Sequence, residues 1–229
     1  MIAKKTIYSI VLVVSLLATT ACSNTDKTTE KEQASLPNAA SEVTKKFEQG
    51  VSLYNQGKLD EAKIIFEECI SQDPTKGEYD FFIGNILRIK NDFENALVYY
   101  QNAMKKSPKL IEAYNNAVAL QMATQKFDQA LETANKGLEE QPDFVDLKFK
   151  KAQILYVQKR YNEAIPLLTD LAKDPVNFEA YRFLGLSYIG LNDKAKALEH
   201  LKTYTNLAPE GVPFKENIKQ IITELEKGK

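Results

Sequence analysis

The chain has no tryptophan, one histidine, two cysteines and nine glycines in 229 residues. Each shortage removes a class of chemistry. A single histidine, His200, with two thiols gives too few members for a zinc set or for a nucleophile and its base. His200 has no cysteine or carboxylate at ligand spacing, so it reads as a packing or surface residue. Two cysteines cannot make a disulfide framework. Nine glycines contain no glycine-rich phosphate loop. An excess of positive charge is missing too: 30 Lys and Arg face 31 Asp and Glu, for a net charge of -1. Phosphate neutralisation needs a basic footprint, so nucleic acid is excluded as a partner. Paired carboxylates such as Glu67-Glu68 and Glu139-Glu140 read as solvated helix faces. The expectation is a protein without catalytic residues, metal or cofactor, which leaves binding.

What is present begins with an export pattern. Lys4 and Lys5 precede an almost wholly apolar run, Ile7 to Leu17, and the small residues Ala18-Thr19-Thr20-Ala21 lead to Cys22. The order is that of a signal peptide over residues 1–21, and the run is shorter than the roughly 20 residues of a membrane span. Thr19-Thr20-Ala21-Cys22 resembles the lipobox of bacterial lipoproteins, although Thr19 stands where leucine is preferred. The resemblance implies cleavage before Cys22 and a diacylglycerol on its thiol; an ordinary cleaved signal is the alternative. Each buried methylene of such an anchor contributes about 0.8 kcal/mol. Ser23, where lipoproteins kept at the inner membrane often carry aspartate, implies the outer membrane of a cell that has one and the cell surface otherwise. Residues 22–40 hold one large apolar side chain, Leu36. They cannot offset their ordering entropy and form a tether of roughly 20–25 Å reach.

From Ser41 the chain repeats. Small or β-branched residues recur at Gly50, Gly84, Val118, Ala152 and Gly185, at intervals of 34, 34, 34 and 33. Ala62, Ala96, Ala130, Ala164 and Ala197 follow twelve residues later in each case. Leu59, Phe93, Phe127 and Tyr161 keep step before the alanines, with Lys194 in the last unit. Pro74, Pro108, Pro142 and Pro209 close four units, and the fourth closes one residue early at Pro175. Proline ends a helix because it lacks the amide donor. In Gly77 to Leu110 two amphipathic segments flank Asn91-Asp92, which makes a helical hairpin. The joint pattern resembles the tetratricopeptide repeat, whose period is 34 residues. The resemblance implies an all-α, right-handed solenoid over 41–209, with units near 43–76, 77–110, 111–144, 145–177 and 178–211. Pro213, Phe214, Ile218, Ile221, Ile222 and Leu225 then predict a capping helix over 213–227.

In that family first helices line the concave face. Carried over, the positions nominate Phe47, Tyr54, Phe81, Asn85, Arg88, Asn115, Met122, Phe149, Gln153, Tyr156 and Arg182 as a groove for a protein or peptide. A grip on a C-terminal carboxylate is excluded, because Phe81 and Asp146 stand where two of its five polar residues belong. In outline the chain resembles tetratricopeptide lipoproteins that support cell-envelope assembly. The expectation is a lipid-anchored adaptor, with self-association through the capping helix as the structural alternative and an enzyme as a third reading.

Overall fold

The structure, a computed structural model, describes residues 39–228. The expected signal peptide, Cys22 and all but the end of the tether lie outside the described residues. Eleven α-helices are described: α1 Ala39–Asn55, α2 Leu59–Gln72, α3 Gly77–Ile89, α4 Phe93–Lys106, α5 Ile111–Ala123, α6 Phe127–Glu140, α7 Val145–Val157, α8 Tyr161–Leu171, α9 Glu179–Gly190, α10 Lys194–Leu207 and α11 Lys215–Glu226. The first of them starts at Ala39, two residues before the expected boundary.

Ten of these helices form five hairpins, and one backbone device closes every one. Gly57, Asn91, Gln125, Lys159 and Asn192 all have positive φ, between 58° and 76°. The residue after each donates its amide five residues back, as Lys58 does to Leu53, Asp92 to Leu87, Lys126 to Gln121, Arg160 to Leu155 and Asp193 to Tyr188, at 2.8–3.0 Å. This is the Schellman closure of a helix C-terminus. The turn places the second helix against the first, where small residues allow close approach. A Cβ on Gly84 would meet the Tyr100 ring at 2.8 Å, and one on Gly185 would meet Leu201 at 2.5 Å.

Inside the stack Ala62, Ala96, Ala130, Ala164 and Ala197 are fully buried, together with Phe66, Tyr100, Ile83, Leu147, Leu168 and Tyr204. Cys69 belongs to this core, and burial pushes its thiol pKa up. Each second helix also packs against the next first helix, so the hairpins share one continuous interior. Successive first helices approach each other directly, α1 with α3, α5 with α7 and α7 with α9, whereas no pair of second helices does so comparably among the described residues. The layer with the closer spacing is the inner one of a curved stack, which puts first helices on the concave side.

Two elements differ from the sequence expectation. The fourth unit, one residue short, has an 11-residue α8 and a 3₁₀ turn, Pro175–Asn177, where the other second helices have 14 residues. The capping helix begins at Lys215 instead of 213. Phe214 adopts φ 71°, outside the helix, and is 61% exposed. It is therefore no part of the buried stripe. Ile218 and Ile222 carry that role, closing over Leu201, Tyr204 and Ala208 with Ile221 and Leu225 at the margin. Lys215 fastens the corner: its Nζ donates to the Ala208 carbonyl at 2.6 Å and pairs with Glu210 at 2.7 Å.

Candidate functional site

The nominated side chains all sit on first helices, α1, α3, α5, α7 and α9. The structure gathers them into two aromatic groups with a polar stretch between. At the N-terminal end Phe47 of α1 reaches across to α3, with ring centroids 5.2 Å from Tyr79 and 5.6 Å from Phe82. Tyr54 meets the same Phe82 edge-on at 5.4 Å, and Phe81 lies 5.6 Å from it and 6.2 Å from Tyr100. At the C-terminal end Phe149 and Tyr156 of α7 both pack edge-on against Phe183 of α9, at 5.5 and 5.3 Å. Phe47, Tyr54, Phe81, Phe149 and Tyr156 stay half-buried, each partly open while it packs on the stack, whereas Tyr79, Tyr100 and Phe183 are buried.

Arg182 extends the second group. Its guanidinium lies 4.4 Å from the Phe183 centroid and 5.0 Å from that of Phe214, and it is held in place by Glu179 at 2.6 Å. A cation between two aromatic faces is attracted by both quadrupoles. Phe214, displaced from the capping stripe, thus belongs to the concave side.

Asn85 is a correction. It is only 6% exposed, and its Oδ1 accepts from the Tyr100 hydroxyl and from Asn116 Nδ2, each at 2.8 Å. The amide ties α3, α4 and α5 together and has no acceptor to offer a partner. Burial also raises the pKa of the Tyr100 phenol. One turn on, Arg88 is exposed. Asn115 is half-buried and keeps an amide oxygen with no partner among the described residues. Met122, Gln153 and the aliphatic pair Ile89 and Val157, 46% and 48% exposed, complete the open surface. Lys150, on the same helix as Phe149, makes no ion pair among the described residues, and burial holds its ammonium below the ordinary lysine range.

Sequence reasoning missed Phe82 and Phe183, the rings around which the two groups form. The signal was present in Phe81-Phe82 and Arg182-Phe183, where an inward residue follows directly on a groove position. It also missed Ile89 and Val157, which share one register a unit apart from Ala123. Among the described residues no three His, Cys, Asp or Glu side chains are placed to hold a metal. No described helix is long and apolar enough to cross a membrane. The surface offers aromatic faces, amides and a few charges, which suit recognition of a polypeptide.

Comparison with known proteins agrees with this geometry. Family models described as tetratricopeptide repeat match residues 46–76, 87–154 and 178–210, together more than half of the chain. Among curated proteins the chain is similar to Hsp70-Hsp90 organizing protein 3 of Arabidopsis thaliana, 29% identical over 126 residues, covering 53% of this chain and 23% of that protein. It is also similar to anaphase-promoting complex subunit 7 of Mus musculus, 26% identical over 164 residues, covering 70% and 28%. The chain spans about a quarter of the length of these relatives. Among solved structures, YrrB, a TPR protein with an unusual peptide-binding site, superposes with a TM-score of 0.68 at 16% identity, covering 76% of this chain and 90% of that one. MamA gives 0.65 at 16% over 72% and 91%, and pilF of Pseudomonas aeruginosa 0.65 at 9% over 82% and 86%. At these identities the structural likeness concerns the fold.

Proposed function

Because the chain belongs to the tetratricopeptide-repeat family and is an all-α repeat solenoid suited to protein interaction, we propose that it is a lipid-anchored adaptor which holds a cell-envelope protein in its concave face. The observation that carries the binding site is the pair of half-open aromatic groups, Phe47, Tyr54 and Phe81 at one end and Phe149, Tyr156 and Arg182 at the other, on helices that adjoin along the inside of the stack. Large rings already fixed by packing give contact area without a further ordering cost, which favours an extended segment or a helix with apolar anchors. The export pattern and Cys22 support the anchor, and the polar stretch after it supplies reach from the membrane.

One experiment in the native cell tests both halves. A photocrosslinking residue replaces Arg88, Gln153 or Val98 in the full chain, the first two on first helices and Val98 an exposed position on α4. A fatty-acid label is followed in the same cells. Positions 88 and 153 should give a covalent protein adduct in the membrane fraction, position 98 should give none, and Cys22→Ser should lose the label. Adducts from position 98 alone would refute the groove, and a label that survives Cys22→Ser would refute the anchor.

A further inference from the structure

Beside the 3₁₀ turn of the fourth repeat there is an opening next to Phe149 of the groove. Between the N-terminal ends of α7 and α9 lies a pocket of about 140 Å³, room for one long side chain and not for a folded element. Its walls are mostly apolar, Phe149 and Val145 from α7, Leu171 from the end of α8, Val176 from the 3₁₀ turn and Ala180 from α9, with Asn177 also lining it and donating its amide to the Leu171 carbonyl. Val145 and Val176 are 45% and 79% exposed, so the mouth is open. Two carboxylates, Asp146 and Glu179, also line it. Glu179 already holds Arg182, whereas Asp146 makes no hydrogen bond or ion pair among the described residues, its charge acting at longer range on Lys150.

Glu78, Glu112, Asp146 and Glu179 occupy one register, the second position of four successive units. Each falls in the first turn of its helix, where the helix dipole favours an acid, so the register alone specifies no ligand. The dipole does not explain an apolar cavity opening between the last two. A cavity that is greasy along its wall and anionic at its lip matches a side chain that is greasy along its stem and cationic at its tip. We infer that this pocket receives a lysine or arginine side chain of the bound polypeptide, its methylenes against Phe149, Leu171 and Val176 and its charge at Asp146 and Glu179. The inference rests on the groove reading above and adds to it the chemistry of the partner: a segment with a basic anchor, not an acidic one.

The test pans a random twelve-residue peptide display library against the full chain in detergent, and against Asp146→Asn. Asp146 is exposed and makes no bond among the described residues, so the variant should stay folded in circular dichroism and melt at most slightly below the parent, by the helix-dipole contribution it gives up. Peptides selected by the parent should share a lysine or arginine at one position, and those selected by the variant should not. A selected peptide is then measured by fluorescence anisotropy beside its norleucine version, which keeps the stem and removes the charge. The exchange should weaken binding to the parent about tenfold and binding to Asp146→Asn little, since a charge-assisted hydrogen bond is lost only where its acceptor is ionised. Selected peptides without a shared basic position, or an equal effect of norleucine in both proteins, would overturn the socket while leaving the groove. Failure to select any peptide would overturn the groove reading and the socket with it.

Discussion

The imidazole of His200 lies almost parallel to the Tyr188 ring, at 5.4 Å and 10°, with Tyr181 at 6.2 Å on α9. Burial holds its pKa below the ordinary histidine value, Glu199 opposes the shift and Lys196 adds to it. A folded pKa below the unfolded one means that the folded chain binds the proton less readily. The stabilising contribution is therefore complete above the unfolded value of about 6.5 and is lost as pH falls below it. The melting midpoint should drop further between pH 7.5 and pH 5.5 in the parent than in His200→Gln. Parallel drops would show that this imidazole does not report on the packing of the fifth repeat. Residue type alone left His200 as a packing or surface residue and could not assign Asn85, whose role depends on what stands 15 and 31 positions away, Tyr100 and Asn116. Phe214 shows the same limit. Helical spacing placed it in the capping stripe, whereas its φ is left-handed and its ring lies against Arg182 of α9.

At the scale of elements, period and punctuation were legible because each depends on near neighbours: small residues where helices meet, proline after the second helix. The turn between the helices was less so. Glycine and asparagine announce a left-handed residue at Gly57, Asn91 and Asn192, but Gln125 and Lys159 do the same work without the signal. At those two the Cβ conflicts with the following carbonyl, a penalty of roughly 1–2 kcal/mol that the surrounding repeat imposes. Lys159 is exposed and makes no ion pair among the described residues. Lys159→Gly should therefore raise the stability of the fourth hairpin by about 0.5–1 kcal/mol, part of the relief being offset by the greater freedom of glycine in the unfolded chain. Urea denaturation checks the sign, and Gly57→Lys in the first hairpin should lower stability by a similar amount. The one-residue deletion before Pro175 was legible as well; that a pocket lies beside the 3₁₀ turn there was not, because cavities depend on how two repeats meet across the stack.

For the whole molecule, a stack that contacts only its neighbours predicts that damage stays local. The capping helix provides the case. Ile218 and Ile222 lie over Leu201, Tyr204 and Ala208, and burying two isoleucines contributes roughly 3–6 kcal/mol as an upper bound. They are covered by their own chain, which leaves Phe214 and Leu207 as exposed large apolar side chains of that region. Ending the chain after Val212 would expose the floor of the fifth repeat. Hydrogen exchange should then lose protection in α9 and α10 while α3 to α6 keep theirs, because nearest-neighbour coupling weakens with each repeat crossed. The truncated chain should also associate with rising concentration, in light scattering, through the uncovered Leu201 and Tyr204 surface. A uniform loss of protection from α1 to α10 would mean that the five hairpins unfold as one unit. In that case the concave groove would be a rigid template and not a series of semi-independent sites, and substitutions at one end would alter binding at the other.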